Sequence, residues 1–382
     1  MRMVKGNLRG LPTVFVYEHI TGGGLAGQML PRSLAAEGTA MRRALASDFS
    51  RIEGIDVVMA LDARLPDDTG PWSVVRIGPG EFEAVLEAWI DAAAAILCVA
   101  PETDGVLGDL VGRLARTGGA RSLNAEVAAI RHSTDKHRLA WFWKRVGVRT
   151  PAARIVPPDS LLPFPPVRFA PIGTVSPWSK TTDLEPEPGD EWIDYPLILK
   201  PIDGAGMRAT YLLSGPDDGP PRHERTSPML IQPWVSGEPM SASYLVGAGG
   251  EIGLVGVTRQ RIDLRPGQLH YQGGIVEPDV EPGESVLRAV ASIAGLRGWV
   301  GVDFVRTAPD PIDIVIEVNP RPTTSYVGLR RLFPPGELAR VWWSALVAGK
   351  PPPPRLQPTP NTVATRVRFD ADGTIRQESV LS

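Results

Sequence analysis

The sequence predicts two kinds of sheet in one chain, a parallel α/β layer at the N-terminus and an α+β part built on antiparallel strands after it. Three features predict it. Short apolar runs at 13–20 (TVFVYEHI), 57–61 (VVMAL) and 95–99 (AILCV) alternate with helical patterns over about 31–52 and 81–94, and a further helical run opens at Pro101-Glu102 and ends at Thr117. Such alternation gives parallel strands joined by helical crossovers, and ligands favour the carboxyl ends of those strands. Residues 299–305 and 312–318 flank a Pro-interrupted turn at 308–311, an antiparallel hairpin with β-branched walls. Residues 240–246 and 252–259 read as two more strands of an antiparallel sheet. At 382 residues the chain exceeds one average domain, so two or three subdomains are expected.

Composition excludes several classes. A net charge of −3 with 43% hydrophobic residues offers no electrostatic footprint for nucleic acid. The apolar stretch 92–100 is too short to span a bilayer, and Glu87 and Asp91 stand before it. The start, MRMVKGNLRG, is charged and has no apolar h-region, so no signal peptide is expected. The one cysteine, Cys98, sits in a strand-like run and reads as a small buried hydrophobe, with the cytoplasm as the expected compartment. Of 40 basic residues only six are Lys (5, 136, 144, 180, 200 and 350), so a Lys in a polar loop stands out.

The hairpin carries the densest chemistry. Side chains alternate along a strand, so Glu317, Asn319 and Arg321 share one face while Ile316 and Val318 bury the other. Asp303 comes opposite Glu317 or one diagonal step from it, since the turn does not fix the register. Two carboxylates and an amide oxygen are hard ligands that suit Mg²⁺ (or Mn²⁺) already holding phosphates, and an Arg beside them is a fixed anion clamp.

Other stretches complete a site. Gly22, Gly24 and Gly27 spell G-x-G-x-x-G after the first strand. A dinucleotide site also needs an acid about 20 positions on, but Asp62 comes much later and Pro31 delays the helix. The loop is either a set of N–H groups facing a ligand carboxylate or phosphate, or simply a tight turn. Glu18 and Glu102 both stand at carboxyl ends of parallel strands. Ser133 or Asp135 caps a helix running from His137 to Val146. Residues 157–194 are Pro-rich and read as a long excursion. YPLILK ends in Lys200 and runs into PIDGAGM, where a Lys and a Gly-rich turn (Gly204-Ala205-Gly206) suit a polyphosphate. LIQPWV (230–235) is a strand, and Arg259, Arg261, Tyr271 and Gly273-Gly274 are expected in a loop able to close over the site. Residues 282–295 read as a helix, and 362–369 with Asp372-Gly373 as a last strand and turn.

Together, S-x-D-K (133–136), Lys200 with its Gly loop, and Asp303…Glu317-x-Asn319-Pro-Arg321 resemble the ATP-grasp superfamily in order and spacing, over about residues 12–345. The resemblance implies an ATP-grasp fold behind an N-terminal parallel α/β (pre-ATP-grasp) domain. The divisions are 12–130 for that domain, 131–235 for the small lobe with the excursion 157–194, 236–350 for the large lobe, and 351–382 for a tail. It implies that Asp303, Glu317 and Asn319 hold the Mg²⁺ (or Mn²⁺) of ATP and that Arg321 steadies the transferring phosphoryl group. Lys136, Lys200, Gly204, Ala205 and Gly206 would hold phosphates, with Lys200 also acting in catalysis. Gln232, Trp234 and Val235 would read adenine at the hinge, although an acid is common where Gln232 stands and Glu238 is one position off a ribose-binding acid.

VFVYEHITGGG, SLAAEGTAMRRAL, HYQGG and EVNPRPTTSYVGL look like the group containing the tyramine–glutamate ligase of methanofuran biosynthesis. That implies an ATP-dependent carboxylate–amine ligase working through an acyl phosphate, joining glutamate to tyramine, tyrosine or a glutamyl chain. The partners would be small carboxylates and amines, without nucleic acid or membrane, and a homo-oligomer is left open. Glu18, Gly22, Gly23, Gly24 and Arg259 are the substrate candidates, with Arg261 beside them. The alternatives are an ATP-grasp ligase for other amino acids or peptides, and a nucleotide-binding regulator without turnover.

Overall fold

Apolar runs become fully buried strands in the N-terminal part. The computed structural model describes residues 10–118, 121–158, 167–169, 191–193, 195–204, 206–220, 225–359 and 365–379. Strands β1 (Thr13–Glu18), β2 (Asp56–Asp62), β3 (Ser73–Ile77), β4 (Ala95–Val99) and β5 (Arg121–Ser122) pair in parallel, in the order β3-β2-β1-β4-β5. Helices α1 (Arg32–Phe49), α2 (Phe82–Ala92), α3 (Val106–Thr117) and α4 (Val127–Thr134) accompany it. The chain leaves β1 toward β2 on one side and comes back to β4 on the other, so the topological switch point lies between β1 and β4. Strand β3 and helix α4 were not legible in the sequence. SVVRI follows the Pro/Gly-containing TGPW at the sheet edge, where packing rather than local pattern decides strand formation.

The rest of the chain builds a second, larger sheet after α5 (Lys136–Arg145). Its strands are β6 (Arg154–Val156), β9 (Leu197–Pro201), β10 (Tyr211–Leu213), β11 (Met229–Pro233), β12 (Glu238–Val246), β13 (Ile252–Arg265), β14 (Gln268–Glu277), β15 (Gly298–Arg306) and β16 (Asp313–Asn319). They run in the order β16-β15-β12-β13-β14-β10-β9-β11-β6, with β17 (Thr365–Asp370) on β14 and β18 (Ile375–Ser379) on β17. Short strands β7 (Val167–Phe169) and β8 (Glu191–Ile193) pair with each other, and most of the Pro-rich excursion lies outside the described residues. Helices α6 (Glu284–Ala291), α7 (Ser325–Leu329) and α8 (Glu337–Leu346) cover the sheet.

One expectation is corrected here. Residues 259–274 are not a loop: Arg259 and Arg261 belong to β13, and Tyr271, Gly273 and Gly274 to β14. Gly273 pairs with Asp370 at φ 104°, and a Cβ there would come within 2.0 Å of the Phe369 carbonyl oxygen. The two glycines therefore serve close strand approach rather than a flexible lid.

A shared aromatic core fixes the N-terminal layer against the large lobe. Trp342 of α8 lies 5.8 Å from Phe49 of α1 and 6.1 Å from Trp299 of β15, and Trp299 meets Tyr326 edge-on at 4.9 Å. Burying a side chain the size of Trp342 contributes roughly 5 kcal/mol of transfer free energy as an upper bound. Asp48 of α1 adds a polar tie, accepting from the Tyr326 hydroxyl and from Arg330 Nε, each at 2.7 Å. This rigid junction brings the carboxyl ends of β1 and β4 up to the β15–β16 hairpin.

Candidate active site

The hairpin register answers what the sequence left open. Asp303 lies directly opposite Glu317, and Gly301 opposite Asn319. A bulge follows Asp303, so that Phe304 pairs with Val315. Gln260 Nε2 donates to Asp303 Oδ1 at 3.0 Å, and Asn319 Nδ2 to Asp303 Oδ2 at 3.3 Å. Burial, and then the Glu317 charge across the ladder, push the Asp303 carboxyl up to about 7. Burial alone would raise Glu317 too, but the ammonium groups of Lys136 and Lys200 outweigh it and hold Glu317 below the usual carboxylate range.

Two opposed carboxylates and an amide are all oxygen donors, and the like charge stored between them is what a hard divalent cation relieves. Among the described residues no group of three or more His, Cys, Asp and Glu side chains could hold a metal. The oxygen donor set of the pair and Asn319 suits Mg²⁺ in its common setting, in which one or two carboxylates share the ion with nucleotide phosphates.

The cations arrive from the other lobe. Lys200 stands near the end of β9, buried opposite Leu230 of β11. Burial pushes its ammonium down to about 8, while Glu317 and Asp303 oppose the fall and Lys136 adds to it. Lys136 is the first residue of α5, whose N-terminus Asp135 caps by accepting from the Arg138 N–H at 3.0 Å. Its Nζ donates to the Gly204 carbonyl at 2.6 Å and lies 3.5 Å from Glu317, so it ties the glycine loop to the hairpin. Gly206, Met207 and Ala209 follow with φ values of 66°, 58° and 51°, the kind of left-handed turn in which successive N–H groups form an anion-binding concavity. Ala205 lies outside the described residues.

Strand β11 carries the hinge. Gln232 pairs with Ile198 and is buried, Trp234 is 37% exposed, and the Trp234 N–H donates to the Pro196 carbonyl at 3.0 Å. Val235 follows at the lobe boundary, half-buried. An open groove of about 810 Å³ lies beside the site, lined by Gly237, Glu238, Arg259 to Asp263 and the hairpin turn from Arg306 to Pro309, and its lining includes neither the carboxylate pair nor the two lysines.

Arg321 meets the N-terminal layer. Its NH2 donates to Glu102 Oε2 at 2.9 Å, its Nε lies 2.9 Å from Glu102 Oε1, and its NH1 donates to the Pro322 carbonyl at 3.2 Å. Burial would lower the guanidinium, but Glu102 above all, with Glu37 and Glu317, raises it above its ordinary value. Glu37 of α1 accepts from the Thr324 hydroxyl; burial raises its carboxyl, against Thr324 and Arg321. The residues after Glu102 hold the glycine loop as well: Thr103 Oγ1 donates to the Asp203 carbonyl at 3.2 Å and the Asp104 N–H to Asp203 Oδ2 at 3.1 Å. Glu37, Gln260 and Asp203 were not singled out from the sequence. Gln260 had a signal, a polar residue after the apolar run of β13; Glu37 had none, since a helix tolerates Glu anywhere on its solvent side.

The remaining candidates have internal partners. Glu18 accepts from the N–H groups of Ile20 and Thr21 at 3.0 and 2.7 Å and from the Thr21 hydroxyl at 2.6 Å. The Gly22 N–H donates to the Glu18 carbonyl and the Gly24 N–H to the His19 carbonyl, at 2.7 and 3.1 Å. The geometry of Glu18 and of Gly22, Gly23 and Gly24 is thus that of a tight turn, the alternative to a ligand loop. Asp62 is bound to Arg64 at 2.8 Å, which leaves the dinucleotide alternative without its acid. Arg259 sits between Glu238 (3.1 Å) and Glu277 (2.9 Å), and Arg261 contacts Asp370 at 3.0 Å. A substrate carboxylate at Arg259 would have to displace these.

The turn gives a prediction. Gly23 has φ 96°, and a Cβ on it would fall 2.5 Å from the Ile77 Cβ. Gly23→Ala is expected to destabilise the fold by about 1–3 kcal/mol while leaving nucleotide affinity unchanged. Chemical denaturation alongside a nucleotide titration checks it, and a selective loss of ligand affinity at full stability would restore the ligand-loop role.

A cleft with two lysines on a strand–loop–helix lobe, facing a carboxylate pair and an arginine on the hairpin of a second lobe, defines a nucleotide-binding fold of the ATP-grasp type. Residues 55–130 match the pre-ATP-grasp 3 domain family and residues 162–325 the ATP-grasp domain family, so the chain carries a pre-ATP-grasp domain followed by an ATP-grasp domain. It is 38% identical over 136 residues to the tyramine–L-glutamate ligase of Methanocaldococcus fervens, covering 35% of this chain and 40% of that one. It is 37% identical over 105 residues to the enzyme of the same name from Methanocaldococcus jannaschii, covering 26% and 32%. The matched segment spans less than half the length of these curated relatives.

Among solved structures, an ATP-grasp superfamily protein from Archaeoglobus fulgidus superposes with a TM-score of 0.58 at 22% identity over 84% of this chain and 85% of that chain. The biotin carboxylase domain of the Hydrogenobacter thermophilus 2-oxoglutarate carboxylase, solved with MgADP, superposes with 0.57 at 15% identity, over 94% and 74%. Both likenesses concern the fold.

Proposed function

We propose that this chain is an ADP-forming carboxylate–amine ligase that joins glutamate, through an amide, to tyramine or a related amine. The single observation carrying the ligase chemistry is the part-buried pairing of Asp303 and Glu317 against Lys136 and Lys200 at the lobe boundary. Two acids and two lysines gathered in one part-buried place fit a nucleotide polyphosphate and its metal better than they fit a structural core. Lys136, Lys200 and the 204–206 loop would bind the phosphates, Gln232, Trp234 and Val235 would bind adenine, and Asp303, Glu317 and Asn319 would hold Mg²⁺. When bound, Mg²⁺ would neutralise charge on the β- and γ-phosphate oxygens.

A carboxylate oxygen of the acid substrate attacks the γ-phosphorus, the bond to the β-phosphate oxygen breaks, and ADP leaves. Lys200 and Arg321 stabilise the charge on the transferring group. The amine nitrogen then attacks the acyl phosphate carbon, phosphate departs with the bonding pair, and the nitrogen loses a proton. The protein forms no covalent bond; it positions the reactants and excludes water.

The choice of glutamate and tyramine rests on the partial likeness to the two tyramine–L-glutamate ligases, and so does a role in methanofuran-type biosynthesis. Among the described residues no helix is long and apolar enough to cross a membrane. The single Cys98 is buried and its thiol pushed up to about 12 by burial, which fits a reducing cytoplasm. The test is ADP release with MgATP and glutamate across tyramine, tyrosine, glutamate and D-alanine, with mass spectrometry of the product. Release is expected to need glutamate together with an aryl-ethylamine partner and to give the condensed amide. Turnover only with other pairs would move the substrate within the ligases, and nucleotide binding without turnover would favour a regulator.

A further inference from the structure

The short loop after β4 touches both halves of the nucleotide site at once. On one side Glu102, buried at 7% side-chain exposure, grips the Arg321 guanidinium of the large lobe, at 12% exposure and 219 positions further along the chain. On the other side Thr103 and Asp104 hold Asp203 of the glycine loop in the small lobe. The grip on Asp203 needs an unusual backbone. Asp104 takes φ 56° and Gly105 φ 73°, a left-handed pair that turns the Asp104 N–H onto the Asp203 carboxylate. Asp tolerates that region better than most residues but still at some cost, which the surrounding contacts must hold.

We infer that Glu102 is the positioning residue for Arg321: the N-terminal domain, through this loop, sets the direction in which the guanidinium meets the γ-phosphoryl group. The inference rests on the nucleotide reading above and goes beyond it, since Glu102 touches no substrate. An arginine has several rotatable bonds, and fixing them in advance is what makes one guanidinium effective on a developing anion. The contact with Glu102 and the Pro322 carbonyl orients the fork while leaving some of its five N–H groups for a phosphate oxygen. Two features distinguish this pair from an ordinary buried ion pair. Its arginine lies two residues past Asn319 at the end of the carboxylate-bearing strand, and its acid sits at the switch point of the parallel sheet, on the same loop that holds the opposite phosphate grip.

The test separates positioning from general structure and does not depend on which acid or amine is used. The affinity of the purified protein for MgADP, and for MgADP with beryllium fluoride as a mimic of the γ-phosphoryl group, is measured by calorimetry. Wild type is expected to bind the fluoride-loaded nucleotide on the order of tenfold or more tighter, the range for hydrogen bonds to a charged group. Glu102→Gln keeps the volume but turns an amide N–H against Arg321 Nε. It is expected to lose most of that gain while binding MgADP alone as before, and Glu102→Asp is expected to recover part of it. Arg321→Ala sets the floor, and the Glu102→Gln, Arg321→Ala double variant should fall no lower. Equal weakening of both nucleotides in Glu102→Gln, full retention of the gain, or an additive double variant would each overturn the inference. A wild type unable to bind MgADP would instead overturn the nucleotide reading itself, and the inference with it.

Discussion

Glu317→Gln is expected to lower ATP-dependent turnover by on the order of a hundredfold or more while the protein stays folded. The substitution keeps size and shape at a position where the carboxylate is opposed by Asp303 and neutralised by Lys136 and Lys200. Little apolar contact is lost and no cavity opens. What is lost is one of two anionic oxygen donors to the metal, together with the counter-charge that keeps both lysines poised. Burial still raises the Asp303 carboxyl, but the like charge of Glu317 that adds to it is gone, so the carboxyl should fall part of the way toward the ordinary range. Higher Mg²⁺ should then restore part of the rate. Turnover and thermal midpoint measured on the same preparation check this, and unchanged turnover in the folded variant would remove Glu317 from the metal site.

Lys200→Ala is expected to raise KM for ATP and lower kcat, together on the order of a hundredfold in kcat/KM, whereas Lys350→Ala, at an exposed position, should do little. A pH dependence follows from the same residue. In the free protein the Lys200 ammonium loses its proton at about 8, so kcat/KM for MgATP should decline as pH rises through that value. Lys200→Arg, which does not titrate there, should remove the decline even if its rate is lower. Stability should move the other way. The unfolded Lys keeps its proton up to its ordinary value of 10.5, so between about 8 and 10.5 the unfolded chain binds the extra proton and folding stability rises with pH. Denaturation midpoints of wild type and Lys200→Ala across that window measure the slope, and a flat wild-type profile would mean that Lys200 is not buried in the free protein.

Much of this molecule was legible in its sequence because the signals are local. Alternating apolar runs and helical periods gave β1, β2, β4, the hairpin and most helices, since each pattern repeats within a few residues. Glu317, Asn319 and Arg321 could be put on one face because strand alternation needs no knowledge of the rest of the fold. Lys136 and Lys200 stood out because lysine is rare in this chain and both border a cap or glycine turn.

What only the tertiary structure decided concerns partners far apart in the chain. Glu18 and Glu102 look alike in sequence, each an acid at the end of a buried strand. One folds back on its own turn, and the other crosses to Arg321 because the aromatic junction of Phe49, Trp299 and Trp342 brings that strand end to the hairpin. HYQGG reads as a loop because Gly and Gln have weak strand preference, yet pairing with β13 and β17 on either side makes it a strand. Asp303 could stand opposite Glu317 or beside it until the bulge fixed the register. Local pattern sets which face a side chain takes, whereas the long-range packing of buried surfaces sets which other side chain it meets, and the chemistry of this site depends on the second.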